Sequence, residues 1–382
     1  MLPFDYNKLD ILMEEARLEL LLVTTRHNIR YFTGGYYNHF HARMARMAAT
    51  RYLAVLGLPQ GRPDDAFFVS ARTEAAFVQG HHLWVPHLHL TGSERSPFFQ
   101  DSPAASQSTA EIVRNMDFET ARIGLELPFL PTDAYLLLHR ELPEATFLDA
   151  TSLLGELRAI KSEAESEIIR RNAAGSAAAI QATFASAAVG LTSADLTNRL
   201  QAEMIERGIE MQWILIAMGP DGVKRKWPSV QAWQPHEVLR LDSGSGLNDY
   251  LVDLCRMGCL GQPSKLADQL HANCLFLNDT LLQAIKPGMA CQELYALGQN
   301  TLRQMSLAEF GHQITHGIGL VPHEPPTISA NSQRVLAEGM VMSIETQYQH
   351  PEVGDVKIED MVVVTANGCE TLGHSGREWQ IG

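Results

Sequence analysis

Cationic charge is the first thing this chain is short of. Its 30 Lys and Arg stand against 44 Asp and Glu, a formal net charge of −14. Phosphate contacts need a basic face, so this balance argues against nucleic-acid binding and against an anionic membrane surface. Long apolar runs are missing as well. Runs such as residues 20–23, which stop at Thr24-Thr25, are far too short to span a bilayer. The stretch up to Glu19 is broken by charges and lacks the basic start and continuous apolar centre of a secretory signal. Cysteine is scarce: five residues, an odd number, with no CxxC pair. Reduced thiols in a cytoplasmic protein are therefore expected, rather than a disulfide framework or a zinc knuckle. Cys255 and Cys259 could serve as soft metal ligands, but small core residues are the plainer reading.

What is present suits an ordinary globular protein of 382 residues, 45% hydrophobic and 19% charged. That length predicts two domains, or three, with a core large enough to need no disulfide or metal merely to fold. Residues 1–150 alternate helix and strand patterns: helices over 8–18 and 132–142, and strands over 19–24, 51–56 and 65–69. Loops rich in Gly, Pro and Ser are expected at Gly34-Gly35, 59–64 and 94–108. A small α/β domain follows from this. From residue 151 the texture changes to long helices over 162–187, 192–207, 267–284 and 291–305, separated from strands over 238–242, 250–260, 340–346 and 356–365. Ser162-Glu-Ala-Glu165 reads as a capping box, and Thr192 as a second N-cap. An α+β domain over 151–382 is expected. The N-terminal histidines His39, His41, His81, His82, His87 and His89 have no acidic or thiol partner at ligand spacing and read as loop and strand residues.

Acidic residues in apolar strands carry the chemistry. Asp242 and Asp253 lie equally far from the Leu247–Asn248 midpoint, and Glu345 and Glu359 equally far from Glu352. In plain hairpins each pair would face across its ladder, opposing like charges unless a cation sits between them. Between the hairpins, His312, His316 and His323 fall in a Gly- and Pro-rich stretch, 311–326, expected to be loop. Four carboxylates and one imidazole match two divalent ions in charge. A set without thiolate favours Mn²⁺, with Fe²⁺, Co²⁺ and Zn²⁺ as alternatives. Such a pair of ions would serve metal-assisted hydrolysis.

These residues resemble those of the pita-bread metallopeptidases: aminopeptidase P, prolidase and methionine aminopeptidase, with creatinase as a relative. The order Asp, Asp, His, Glu, Glu, in the contexts His316-Gly-Ile-Gly and Ile358-Glu-Asp360, carries the resemblance over about 155–375. Asn28-Ile-Arg-Tyr-Phe-Thr-Gly34 extends it to a creatinase/prolidase-type N-terminal domain over 1–150. The resemblance implies an α+β pita-bread catalytic domain with Asp242, Asp253, His316, Glu345 and Glu359 as ligands of two divalent ions. Asp253 and Glu359 would bridge them, and a bridging hydroxide would attack a carbonyl. Glu345 would assist its deprotonation, His323 would hydrogen-bond the substrate or its tetrahedral intermediate, and His312 would line the leaving-group side. A homodimer is implied too, in which residues 36–41 could approach the partner's site.

Three departures stand out. Thr346 replaces the proline usual after the first glutamate, and Lys357 replaces the arginine usual two residues before the last. The histidine usual upstream of the first aspartate is absent: Ser229 follows Pro228, and His236 is the one histidine between Met211 and Asp242. Lys224-Arg225-Lys226 could bind a substrate carboxylate, although a solvated basic turn is the plainer reading. The expectation is therefore a dinuclear Xaa-Pro peptidase acting on small peptides. The rivals are hydrolysis of a small non-peptide C–N substrate, as by creatinase or ectoine-hydrolase-like relatives, and a pita-bread binding module without catalysis.

Overall fold

The computed structural model describes residues 2–36, 53–92, 102–220 and 227–381. The chain divides into two compact units, Met1–Leu157 and Arg158–Gly382. In the first, β1 (Leu20–Val23), β2 (Val55–Pro59), β3 (Phe67–Ala71), β4 (His87–Thr91), β5 (Arg122–Leu125) and β6 (Thr146–Asp149) form a sheet in the order β4-β3-β2-β1-β5-β6. β1 lies at its centre, antiparallel to β2 and parallel to β5, and all four of its residues are buried. Helices α1 (Tyr6–Ala16), α2 (Arg26–Thr33), α3 (Ala75–Gly80), α4 (Ser102–Asn115), α5 (Thr132–Glu141) and α6 (Thr151–Arg158) accompany it. Ala105, Ala110 and Val113 of α4 and Ala134 and Leu138 of α5 join the strand side chains in one core.

The loop expected over 94–108 gives way to α4 from Ser102. Its hydroxyls do not break the helix, because Ser106 and Thr109 donate to the carbonyls of Ser102 and Ala105 one turn back. The strand expected over 51–56 is observed at β2, later in the chain, and residues 51 and 52 lie outside the described residues.

The second unit repeats one plan: two helices, a strand, then a long hairpin. α7 (Glu163–Ala185) and α8 (Ser193–Glu206) precede β7 (Glu210–Met218) and the hairpin β8 (Val238–Leu247) to β9 (Tyr250–Cys259). α9 (Lys265–Ala284) and α10 (Cys291–Gln304) precede β10 (Gly311–Gly317), the short β11 (Glu324–Thr327) and the hairpin β12 (Val341–His350) to β13 (Gly354–Thr365). The strands join as β11-β10-β12-β13-β9-β8-β7, with β14 (Gly368–Leu372) on β13 and β15 (Gln380–Ile381) on β9. α7 packs on β8 and β9, and α9 on β12 and β13. The expected capping box forms, with Glu165 N–H donating to Ser162 Oγ and Ser162 N–H to Glu165, and the expected N-cap Thr192 proves to be paired with Asp195 in the same way.

Hairpin register corrects one expectation. Glu345 does pair with Glu359, as the spacing about Glu352 predicts. Asp242, however, pairs with Cys255, and Asp253 with Gly244. The turn between β8 and β9 is two residues long, Asn248 (φ 48°) and Asp249 (φ 66°), flanked by the pair Leu247 and Tyr250. Two left-handed residues make the kind of turn that matches strand twist. The hairpin midpoint therefore lies one residue later than equal spacing assumes. Asp242 and Asp253 share a face but sit diagonally, roughly 7 Å apart, rather than opposite. A β-branched residue at Asn248 would oppose this turn. Asn248→Val is expected to destabilise the C-terminal unit by about 1–2 kcal/mol, and Asn248→Gly by less. Urea-unfolding midpoints at constant m-value check this.

Candidate metal centre

The two hairpins meet where β9 pairs with β13, and one ladder row crosses five strands: Asp242, Cys255, Glu359, Glu345 and Ile314. Side chains alternate along a strand, so Asp253, two before Cys255, and His316, two after Ile314, project from the same face. Five strands thus gather four carboxylates and an imidazole whose sequence positions span more than a hundred residues. Asp242, His316, Glu345 and Glu359 are buried, with Glu359 at 0% exposure. Gly244 has to be bare at this face, since a Cβ there would lie 2.1 Å from the Trp213 ring beside the Asp253 position.

Lys357 enters the same cluster from β13, two residues before Glu359. Its Nζ lies 2.7 Å from Asp242 Oδ2, 2.7 Å from Glu345 Oε2 and 2.9 Å from Glu359 Oε2. Arg240 reaches within 3.9 Å of Asp242 and pairs with Asp355 at 2.9 Å. His316 sets Nε2 3.1 Å from Glu345 Oε1, and its Nδ1 lies 3.1 Å from the Gly317 carbonyl. A carbonyl on Nδ1 fixes the proton there and leaves Nε2 for the cluster. Glu359 Oε1 accepts a 2.6 Å hydrogen bond from Ser343 Oγ. Asp253 Oδ1 is buried and accepts none.

These surroundings pull the carboxylates apart. Burial, then the charges of Glu359 and Asp242, push Asp253 well above the usual carboxylate range. Glu359 is pushed up to about 7 by burial and by Glu345. Burial also works against Glu345, but the His316 hydrogen bond and the Lys357 charge outweigh it and hold Glu345 down to about 2. His316 is raised: burial opposes its charge, and Glu345 more than compensates. The Cys255 thiol is pushed well up by burial and by Asp242, so it stays protonated and contributes no thiolate.

The other singled-out residues fall as follows. His323 immediately precedes β11, with its ring 4.2 Å from that of His316, centre to centre. His312 is exposed on β10, on the cluster's face but four residues from His316, about 13 Å along the strand. The loop expected over 311–326 is therefore partly wrong, because β10 and β11 carry or border all three histidines. Ser229 bonds to Ser193 at the start of α8, and the exposed His236 sets Nδ1 on the Gln262 carbonyl, so neither reaches the carboxylates. Lys224-Arg225-Lys226, His39 and His41 lie outside the described residues. Sequence reasoning missed Glu324, which is buried between Arg158 (3.1 Å) and Lys161 (2.9 Å) and anchors the strand after His323. It also treated Lys357 only as a weaker donor. The i, i+2 spacing of Lys357 and Glu359 was the available signal.

Asp253, His316 and Glu359 each offer a ligand atom within 4.8 Å of the others. With an orphaned carboxylate oxygen at Asp253 and an oriented imidazole nitrogen, these residues fit a divalent cation. Fold and site together define a metallohydrolase. The chain belongs to metallopeptidase family M24, whose model matches residues 167–366, and the creatinase/prolidase N-terminal domain model matches residues 6–160. The C-terminal unit is the pita-bread domain of that family. Among curated proteins, the chain is 26% identical to the uncharacterized peptidase YqhT of Bacillus subtilis, covering 97% of this chain and 98% of that one. It is 27% identical to the Xaa-Pro dipeptidase of Lactobacillus helveticus, covering 78% and 84%. Its fold matches that of the Xaa-Pro dipeptidase from Bacillus anthracis, with TM-score 0.85, 22% identity and 99% of each chain covered. The prolidase from Pyrococcus horikoshii matches with TM-score 0.81, 21% identity, and 98% and 99% coverage. Among the described residues no helix is long and apolar enough to cross a membrane.

The pKa directions predict how the metal-free protein responds to pH. A carboxylate raised to about 7, as Glu359 is, favours folding below its unfolded value near 4.5 and loses that contribution as pH rises through 7. Raised Asp253 and raised His316 act in the same direction. Chelator-treated protein should lose thermal stability between about pH 4.5 and 7.5, and Glu359→Gln should flatten the slope. Melting temperatures across that range check it, and a rise would contradict it.

Proposed function

We propose that this protein is a dinuclear-metal hydrolase of Xaa-Pro peptides, a proline dipeptidase or Xaa-Pro aminopeptidase. The observation that carries the reading is the convergence of Asp242, Asp253, His316, Glu345 and Glu359 on one sheet face around the unpartnered Asp253 Oδ1. These five would hold two divalent ions, Mn²⁺ first among them for a carboxylate-rich set with one imidazole. The ions would supply Lewis acidity for the carbonyl and lower the pKa of water.

The remaining work falls to the chain. Glu345 is the acceptor of the attacking water's proton. His323 has its pKa lowered by burial and by neighbouring His316, so it is neutral near pH 7 and keeps one ring N–H. That N–H donates to the oxygen on which charge develops. Glu324, gripped by Arg158 and Lys161, anchors the backbone immediately after His323, whose ring lies 4.2 Å from that of His316. Exposed His312 lines the leaving-group side of the same face. A homodimer follows from the family resemblance, and a cytoplasmic setting is supported by five cysteines with no disulfide among them.

One observation favours a second reading. No imidazole reaches the site from the segment before Asp242, because Ser229 and His236 are engaged elsewhere. A small non-peptide C–N substrate would fit a site lacking that group.

Xaa-Pro dipeptides and longer Xaa-Pro-Yaa peptides, assayed with added Mn²⁺, decide between the two. Metal-dependent turnover that Asp253→Ala abolishes is expected, and turnover of none of these peptides sinks the peptidase reading. His323→Ala should lower kcat by about 10²–10³, the loss typical of one oxyanion donor. His312→Ala should act mainly on KM.

A further inference from the structure

Lys357 is not accounted for by the hydrolytic reading. An ammonium has three N–H donors, and this one has three carboxylate neighbours, Asp242, Glu345 and Glu359, all within 2.9 Å. The side chain is 7% exposed, and a buried ammonium costs several kcal/mol of lost hydration unless anions surround it. It is therefore bound as a cation by the carboxylates that would otherwise receive a metal ion. The cluster is lopsided as a result. On the Asp242 side, Oδ2 already faces Lys357 and Arg240, and Glu345 is shared between Lys357 and His316. On the Asp253 side, Oδ1 has no partner, and Asp253, His316 and Glu359 offer three ligand atoms close together. Of these three, Glu359 alone touches the ammonium, through Oε2 at 2.9 Å, and among the described residues no cation pairs with Asp253.

We propose that Lys357 is an internal competitor for the second metal ion. The first divalent ion takes the Asp253–His316–Glu359 position with the ammonium in place. The second takes the Asp242 side only by displacing Lys357 Nζ from its three carboxylates. Arginine could not play this part in the same way, because its planar fork spreads the charge, whereas the compact ammonium on a flexible stem mimics a small cation and can swing away. The inference deepens the dinuclear reading and rests on it for the ligand set. It makes occupancy of the second position a function of free metal concentration.

The test is a Mn²⁺ titration of the chelator-stripped full chain without substrate, followed by calorimetry and by the electron paramagnetic resonance of bound Mn²⁺. Wild type should take one ion at least about tenfold more tightly than the second, because only the second must displace a cation. In Lys357→Met the two steps should fall within about threefold, mainly by strengthening of the second, with a signal from coupled ions appearing at lower Mn²⁺. Two equal steps in wild type, or an unchanged ratio in Lys357→Met, would overturn the proposal. Should Lys357→Met not fold, two other variants decide. Asp242→Asn should leave the first step within about threefold, and Asp253→Asn should weaken it by about a hundredfold or more; the reverse order overturns the proposal. The stepwise constants are read without peptide, so absence of Xaa-Pro hydrolysis alongside unequal steps would defeat the substrate assignment alone.

Discussion

Four carboxylates on one buried sheet face cannot all be ionised without a compensating cation, and the second unit is organised around that constraint. Two hairpins meeting at β9 and β13 bring the acids together, and Lys357 supplies the positive charge that lets at least three of them coexist. The compensation is uneven: Glu345, beside Lys357 and His316, is held low, while burial and neighbouring acids hold Asp253 and Glu359 high.

Such a cluster has to be held by a stiff frame, and the opposite face provides it. Arg256, fully buried, donates to the Glu359 carbonyl, to Asp360 and to the Gly373 carbonyl, so the strand carrying Glu359 is gripped from behind. Arg377 lies 2.9 Å from the other Asp360 oxygen. The helices add their own ties: Asn172 of α7 donates to the Ser245 and Tyr250 carbonyls of the first hairpin, and Asn278 of α9 to the Ile344 carbonyl beside Glu345. Each hairpin thus has a helix asparagine closing its backbone, in keeping with the repeated plan of the unit. Thr346, where the family usually has proline, donates to the Cys274 carbonyl, a hydrogen bond that ties β12 to α9. The substitution exchanges a rigid backbone position for a tether.

Much of this was legible from spacing, and the failures are instructive. Glu345 and Glu359 are opposed because the β12–β13 turn is centred on Glu352, where symmetry puts it. Asp242 and Asp253 are not, because Asn248 and Asp249 close a two-residue turn one position later. Equal spacing locates a partner only when the turn is known, and turn geometry depends on backbone angles rather than on hydropathy. The histidine stretch looked irregular because glycine and proline mark loops, yet β10 forms there, since its edge pairs with β12 over seven residues. Long-range pairing overrode local propensity.

The sequence by itself determined the chemistry: which acids lie in apolar strands, which histidines accompany them, and which family the order of these residues resembles. Those features depend on residue type and local period, which the chain carries without folding. Only the tertiary structure decided which side chains meet. It placed Lys357 among the acids, separated His312 from His316, brought His323 against His316, and turned Ser229 and His236 away. Pairings between strands distant in the chain depend on register and on turn conformation: local spacing puts Lys357 beside Glu359, but only register brings its charge to Asp242 and Glu345 on other strands.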